Sequence, residues 1–275
     1  APGLLGSTYI WQVAAGNDHT LFLTEAGDVL AVGSGRRGQL GIIFEGVAAS
    51  ALRPKKVRGF ANRRVTCVSA GSECSAAVDE AGGLWTWGSH HGNGGHGADD
   101  LYQRNRPAQI KSLKSQRMCL VSVGGCQMLA TTHSGKLYAW GRGYDGALGL
   151  GNLGNNVAYH DTPTHVTALS GKAVWHISAG GNHSVVLTEA GVFTMGEGEY
   201  GKLGHGDEES KDVPTRVREL SPLAEEEVEA LTVKELKHEL EAMQRTYPRA
   251  AAALGTRAAP AEEGLAAVLA GAHGG

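Results

Sequence analysis

The stretch VAAGNDHTLFLTEAGDVLAVG, residues 13–33, decides the fold because the chain repeats its pattern three more times. The copies read VSAGSECSAAVDEAGGLWTWG at 68–88, VSVGGCQMLATTHSGKLYAWG at 121–141 and ISAGGNHSVVLTEAGVFTMG at 177–196. Each copy has a first and a closing glycine, which are Gly16 and Gly33, Gly71 and Gly88, Gly124 and Gly141, and Gly180 and Gly196. Matching glycines that recur about every 54 residues indicate a structural repeat.

Short apolar runs such as LFLT, LYAW and VVLT lie between these glycines and predict strands that end at glycine turns. A Pro-x-x-aliphatic element precedes each copy and is interpreted as the first strand of a four-stranded unit. One such unit cannot bury both faces alone, so the predicted fold is an all-β propeller of four-stranded blades. The last element, from Pro214 to Val217, is predicted to begin a fifth unit that does not continue.

Composition and charge narrow the functional classes. The chain has 275 residues, 41 of them glycine, and a formal net charge of -3. No apolar run reaches the roughly 18 residues of a spanning helix, so no membrane association is expected. The charge also argues against nucleic-acid binding driven by net charge. Four cysteines in a chain of this length favour reduced thiols, and we expect an intracellular protein of the cytoplasm or nucleus.

The copies resemble the regulator of chromosome condensation repeat, whose pattern is Val-x-x-Gly-x-x-His-Ser/Thr followed by aromatic-x-Trp-Gly. The residues that carry this resemblance are His19, His183, Trp87 and Trp140. Cys74 and Gln127 replace the histidine in the second and third copies. The resemblance covers residues 2–218 and implies a propeller that family members usually close with seven blades. Three explanations for four repeats stay open: a fragment of a longer protein, closure by a partner, or capping segments.

The repeat also explains residues that could otherwise suggest chemistry. His19 and His183 occupy equivalent positions, so a structural role is predicted in which the ring bonds backbone at a turn. Trp87 and Trp140 are predicted to pack between neighbouring blades. No Ser-His-Asp pattern, phosphate-binding loop or metal-ligand spacing is present. The sequence therefore predicts no enzyme activity, no cofactor, no metal site and no direct part for a nucleotide.

The segment after the repeats has a different character. Residues 219–247 predict an amphipathic helix with an apolar stripe formed by Leu231, Leu236, Leu240 and Met243. Residues 248–275 are rich in alanine and glycine and predict a marginal helix or disorder. Leu236 and Leu240 are candidate contacts to the propeller or to a partner. The alternative is nucleic-acid binding, because LTVKELKHELEAM resembles the first helix of a SAP-type motif, although its acidic flank argues against it.

By elimination, the sequence predicts a non-catalytic protein-interaction scaffold that uses propeller rim loops. The candidate contact residues on the propeller are Arg36, Arg37, Lys55, Lys56 and Arg58. If both groups share one rim, an acidic protein or a nucleic-acid backbone is a candidate partner. The family resemblance implies an alternative, guanine-nucleotide exchange on a small GTPase with chromatin association. The ultraviolet photoreceptor branch is not expected, because its tryptophan after the double glycine is absent from all four copies.

Overall fold

The computed structural model describes residues 9–44, 49–89, 94–97, 103–151 and 159–220, which belong to one compact unit. They form four antiparallel sheets of four strands each, with the strands adjacent in chain order. Blade 1 comprises β1 Ile10–Ala15, β2 His19–Thr24, β3 Val29–Ser34 and β4 Ser50–Lys56, and blade 2 comprises β5 Val65–Ala70, β6 Cys74–Asp79, β7 Leu84–Ser89 and β8 Gln103–Gln109. Blade 3 comprises β9 Met118–Val123, β10 Gln127–Thr132, β11 Leu137–Arg142 and β12 Tyr159–His165, and blade 4 comprises β13 Val174–Ala179, β14 His183–Thr188, β15 Gly191–Gly196 and β16 Lys211–Arg216.

These sheets confirm the prediction of an all-β fold made of four-stranded blades. The predicted helix at 219–247 and the segment at 248–275 lie outside the described residues beyond position 220. The closing glycine of each copy sits where the register between the third and fourth strands shifts, as between Ala31 and Gly33. There the four closing glycines have φ between 103° and 112°, a conformation that side chains rarely adopt. Glycine is therefore required at each of these bulges.

The proline-containing strand was assigned to the wrong end of the repeat. Pro54, Pro107, Pro163 and Pro214 lie in β4, β8, β12 and β16, the last strand of each blade. The last strand lies at the edge of the sheet, where a proline, which has no backbone N–H, removes the fewest inter-strand hydrogen bonds. The element from Pro214 to Val217 therefore completes blade 4 and does not begin a fifth unit. The first such element, at Pro2, lies outside the described residues.

The core formed by the described residues consists of three seams, each between two consecutive blades. In the first seam Leu21 and Leu23 of blade 1, together with Phe60 from the segment after β4, pack with Trp85 and Trp87 of blade 2. The second seam places Trp140 of blade 3 among residues of blade 2, and the third places Met195 of blade 4 among residues of blade 3. Blades 2 and 3 thus bury one face against the preceding blade and the other against the following blade.

The first strand of blade 1 has no preceding blade among the described residues, and it exposes a side chain whose equivalents in the other blades are buried. Val13 on β1 is 64% exposed, whereas Val68, Val121 and Ile177 at the equivalent positions are 2%, 6% and 5% exposed. Trp11 on the same strand is 67% exposed. The packing of a neighbouring blade, and not the residue type, therefore decides whether this position is buried.

Candidate functional site

The first glycine of each copy lies where the inner strands of neighbouring blades meet. A Cβ built on Gly16 would lie 2.4 Å from the carbonyl oxygen of Gly71. A Cβ on Gly71 would lie equally close to the carbonyl oxygen of Gly124, and a Cβ on Gly124 to that of Gly180. Only glycine allows so close an approach. The turns that begin at these glycines line a concavity of about 290 Å³, which we call the hub. Its described lining carries no ionisable side chain, so the hub supplies no side-chain acid or base.

His19 joins blade 1 to blade 2 by a side-chain hydrogen bond. Its Nε2 lies 2.8 Å from Oγ of Ser75, and the Ser75 hydroxyl donates to the carbonyl oxygen of Gln39. Because the Ser75 proton is used in that second bond, His19 donates from Nε2, and the buried Nδ1 accepts no hydrogen bond from the described residues. Burial lowers the pKa of His19 to about 4, opposed by the carboxylate of Asp18. The partner is a hydroxyl of the next blade and not the backbone group that the sequence predicted.

The residues equivalent to His19 in blades 3 and 4 have other surroundings. Gln127 Nε2 donates to the carbonyl oxygens of Gly180 and His183 at 3.1 and 3.0 Å, which joins blade 3 to blade 4. His183 is half-buried, and burial together with the charge of Lys202 lowers its pKa. In blades 1 and 3, therefore, the residue at the position of His19 bonds to the next blade across a seam.

Trp87 and Trp140 lie inside the seams and are fully buried. Trp87 Nε1 donates to the carbonyl oxygen of Gln39 at 2.8 Å, and its ring meets the ring of Phe60 edge-on at 5.6 Å. A Cβ on Gly41 would lie 3.0 Å from Trp87 Nε1, and one on Gly95 would lie 2.8 Å from Trp140 Nε1. The glycines of one blade thus make room for the tryptophan of the next.

The strand order gives the blades two different rims. His19 pairs with Gly33 and Ser34 pairs with Ser50, so the turn at 16–18 and the loop after Ser34 share one end of blade 1. We call the end formed by such turns and loops the loop rim. The opposite end, which we call the link rim, holds the turns between the second and third strands and the links 57–64, 110–117 and 166–173 between blades.

Arg36 and Arg37 therefore do not share a rim with Lys55, Lys56 and Arg58. The two arginines follow β3 on the loop rim, whereas Lys56 pairs with Leu30 at the other end of β4. Six residues of strand at about 3.3 Å each separate the two ends by roughly 20 Å. The structure thus contradicts the idea of one joint basic surface. The sequence could not show this, because the direction of each strand within the blade was unknown.

Several of these basic candidates have partners. Arg37 Nε lies 3.4 Å from Glu73 Oε1 of blade 2, and Lys56 Nζ lies 2.7 Å from Asp28 Oδ1. Lys55 Nζ lies 5.3 Å from the ring centroid of Phe44. Arg36 and Arg58 are exposed, and no ion pair joins either of them to a described residue.

Three loops of the loop rim share one backbone hydrogen bond between two glycines and present different side chains. The N–H of Gly38 donates to the carbonyl of Gly35, that of Gly146 to Gly143, and that of Gly201 to Gly198 at 2.9, 3.3 and 3.0 Å. We call the two residues enclosed in each turn a rim pair; the rim pairs are Arg36-Arg37, Tyr144-Asp145 and Glu199-Tyr200. All six residues are exposed. Sequence reasoning found only the arginines, although alignment of GRRG, GYDG and GEYG would have shown all three pairs.

The tyrosines of the rim pairs have the properties of contact residues. Tyr200 is 82% exposed and has φ of 63°, a left-handed conformation that costs a bulky residue energy. The guanidinium of Arg142 lies 4.9 Å from the ring centroid of Tyr144 and 5.4 Å from that of Tyr159. Its Nη2 also donates to Tyr159 Oη at 3.0 Å. Tyrosine and arginine are the residue types that contribute most to protein interfaces.

Two successive links make the link rim basic. Link 57–64 carries Arg58, Arg63 and Arg64, link 110–117 carries Lys111, Lys114 and Arg117, and neither contains an acidic residue. The first link lies against the strand that leads into the second, because a Cβ on Gly59 would lie 3.3 Å from Cδ of Pro107 in β8. The second link escaped sequence reasoning because it lies about 50 residues further along the chain, one repeat period away.

The buried reactive groups suit structural roles. Burial raises the pKa of the Cys74 thiol to about 12 and also raises that of Cys67, so both stay protonated and are poor nucleophiles. Within the described ranges, no three His, Cys, Asp or Glu side chains lie close enough together to hold a metal ion. The same part of the chain has no helix that is long and apolar enough to cross a membrane.

Comparisons with known proteins agree with this architecture. The family model of the RCC1-like domain matches residues 2–234. The chain is 34% identical over 211 residues to the ultraviolet-B receptor UVR8 of Arabidopsis thaliana, a match covering 76% of this chain and 46% of that protein. It is also 34% identical to the E3 ubiquitin-protein ligase HERC2 of Homo sapiens, covering 74% of this chain and 4% of HERC2.

Two solved structures are similar over most of the described blades. Human WBSCR16 matches with a TM-score of 0.68 and 29% identity, covering 77% of this chain and 54% of that one. Prp20p of Saccharomyces cerevisiae, whose structure is described with its binding to Gsp1p and histones, matches with a TM-score of 0.67 and 25% identity, covering 79% and 52%. The chain spans about half the length of UVR8, WBSCR16 and Prp20p.

Proposed function

Because the chain belongs to the RCC1-like domain family, we propose that it is a non-catalytic scaffold that holds another protein on its loop rim. The observation that carries this proposal is the set of rim pairs, in which a turn closed by the same hydrogen bond between two glycines presents Arg-Arg, Tyr-Asp or Glu-Tyr to solvent. A fixed turn with varied, exposed side chains is typical of recognition surfaces on a rigid framework. The three seams occupy the apolar side chains between consecutive described blades, which leaves the rims and the face of blade 1 that carries Val13 and Trp11 for binding.

The chemistry of the described residues supports a binding role over catalysis. His19 is neutral, buried and committed to Ser75, and the buried thiols are protonated. The hub concavity is lined by backbone and small side chains without an ionisable group. A catalytic site needs groups that accept or donate protons next to a cleft that admits substrate. His160 and Asp212 line a cavity of only about 10 Å³, which has room for a single water molecule.

Co-purification with quantitative mass spectrometry tests the proposal. The rim variant replaces Arg36, Tyr144 and Tyr200 with alanine, and the matched control replaces Leu52 and Val213, exposed residues of β4 and β16. From extracts of the source cells, the wild-type chain and the control should retain the same partner. The rim variant should lose at least about tenfold, the scale expected when interface tyrosines are truncated. Equal recovery with the rim variant would reject the loop rim as the binding surface.

Guanine-nucleotide exchange on a small GTPase is the alternative, favoured by the similarity to Prp20p, which binds Gsp1p. It requires a group that reaches the nucleotide site of the GTPase, and no described rim residue is assigned to that role. The release of labelled GDP from Gsp1p distinguishes the two functions. A scaffold leaves the release rate unchanged, whereas an exchange factor increases it.

The tail contributes a separate proposal that rests on the sequence alone. Leu236 and Leu240 lie outside the described residues and are proposed to contact protein. The SAP-type alternative would instead make the tail bind nucleic acid through Lys234 and Lys237. Replacing both leucines with aspartate should reduce protein binding under the first proposal and leave DNA binding unaffected.

A further inference from the structure

The link rim carries a concentration of like charge that the loop-rim function does not use. Links 57–64 and 110–117 together hold six basic and no acidic residues. The third link, 166–173, holds one basic residue, Lys172. The loop of blade 4 on the opposite rim, residues 197–210, instead holds five acidic residues and one basic residue. The two rims therefore differ in the sign of their charge.

The first link is held in place by buried contacts. Phe60 is 7% exposed and meets the rings of Trp85 and Trp87 edge-on at 5.8 and 5.6 Å. Arg63 Nη1 lies 3.2 Å from Oδ2 of Asp79, a fully buried carboxylate. Asp79 also accepts hydrogen bonds from Trp85 Nε1 and from two backbone N–H groups. These anchors fix the backbone that carries Arg58 and Arg64.

The second link is anchored in the same manner. Ile110 and Leu113 are 1% and 5% exposed and pack into the seam between blades 2 and 3. Between and after them, Lys111, Lys114 and Arg117 are exposed. Both links thus point apolar side chains into a seam and basic side chains into solvent. A surface fixed in this way loses little conformational entropy when a partner binds.

Most of this charge is not neutralised within the described residues. Arg63 is paired with Asp79, and Arg64 donates to the carbonyl of Glu25. No ion pair joins Arg58, Lys111, Lys114 or Arg117 to any described residue. Concentrated like charge repels itself, and a partner of opposite charge relieves that repulsion.

We propose that the surface formed by Arg58, Arg64, Lys111, Lys114 and Arg117, here called the link patch, binds an Asp/Glu-rich protein segment. The proposal extends the proposed scaffold function, because it adds a second binding surface on the opposite rim. The patch selects for carboxylates, which pair with guanidinium and ammonium groups. It would allow the scaffold to hold two partners at once, one on each rim.

The arrangement favours an acidic protein segment over a nucleic acid. The turns beside the links carry the exposed carboxylates of Glu25 and Glu80. A phosphodiester backbone, with one charge about every 3.4 Å of strand, would be repelled by both, whereas a peptide can place its carboxylates only opposite the basic groups. The links present no exposed aromatic side chain on which a base could stack, since Phe60 and Trp85 are buried.

Fluorescence anisotropy with the full chain tests the link patch. The probe is a labelled peptide of alternating Glu and Gly of about 15 residues, which spans roughly 50 Å when extended. The wild-type chain should bind it, and binding should weaken as salt is added. Arg58→Glu with Lys111→Glu, one change in each link, should weaken binding by about tenfold or more. Arg36→Glu with Arg37→Glu changes the net charge equally on the loop rim and should leave binding unchanged.

Several results would overturn the proposal. They are absence of binding, an equal loss in both charge variants, or tighter binding of a labelled single-stranded or duplex DNA of matched length. If the charge reversal unfolds the chain, Arg58→Gln with Lys111→Gln replaces it in the binding test, and circular dichroism checks that this variant is folded. Failure of the link patch leaves the loop-rim co-purification result unaffected, so the two proposals fail separately.

Discussion

His19 shows how one side chain can make a seam sensitive to pH. In the folded chain its pKa is lowered to about 4, mainly by burial, from the ordinary 6.5. Above pH 6.5 both the folded and unfolded states hold it neutral, whereas between pH 6.5 and pH 4 only the unfolded state binds the proton. The contribution of His19 to stability is therefore present at neutral pH and is lost as the pH falls through that window.

We expect the free energy of unfolding to fall by about 2 kcal/mol more between pH 7 and pH 5 in the wild-type chain than in His19→Gln. Glutamine is the matched substitution because Gln127 occupies the equivalent position in blade 3. His160 and His183, whose pKa values are also lowered, titrate in both proteins and cancel in the difference. Urea unfolding at the two pH values measures this free energy. An equal fall in stability in the two proteins would contradict the burial of His19 and its lowered pKa.

The partner of His19 could not be predicted from the sequence. Ser75 follows 56 residues later and belongs to the next blade. The repeat indicated that His19 and His183 are equivalent, but only their positions in the stack of blades distinguish their surroundings. His183 in blade 4 has no successor among the described residues, so it is half-buried where His19 is buried.

At the scale of elements, the seams should provide most of the stability of the blades. Trp87 of β7 is fully buried against blade 1, whereas Trp11 of β1 is 67% exposed. Trp87→Ala should lower the free energy of unfolding by about 3–5 kcal/mol, the usual cost of emptying a large core site. Trp11→Ala, which removes the same side chain from a solvent-exposed strand, should change it by about 0.5 kcal/mol or less.

Urea unfolding of both tryptophan variants measures this difference. A loss of stability at Trp11 equal to that at Trp87 would show that the face of blade 1 is covered in the isolated chain. It would then argue against the exposure described for Val13 and Trp11.

The sequence predicted the type and number of strands correctly but not which blade the proline-containing strand belongs to. Glycine spacing and short apolar runs were sufficient for four blades of four strands, because turns and strands depend on local residues. The start of a repeat is arbitrary in a periodic sequence, so the strand with Pro214 was placed in the wrong blade. Pairing of β15 with β16, through Thr194 and Thr215, assigns it to blade 4.

In the molecule as a whole, the residues that build the seams are different from the residues proposed to bind a partner. Sequence reasoning found Arg36 and Lys55 as candidates but could not place them on opposite rims, because that requires the direction of β3 and β4. It also missed Tyr200 and Lys111, whose neighbours come from other repeats. Surfaces assembled across repeats are visible only once the blades are stacked.

Hydrogen exchange of the free chain and of its complex with the co-purified partner tests the central claim most directly. Binding at the loop rim should slow exchange in segments 35–41, 143–149 and 197–204 and leave the strands of the blades unchanged. Slower exchange confined to β1, around the exposed Val13, would contradict it. That result would show that the partner covers an open blade face and that the rims do not bind it.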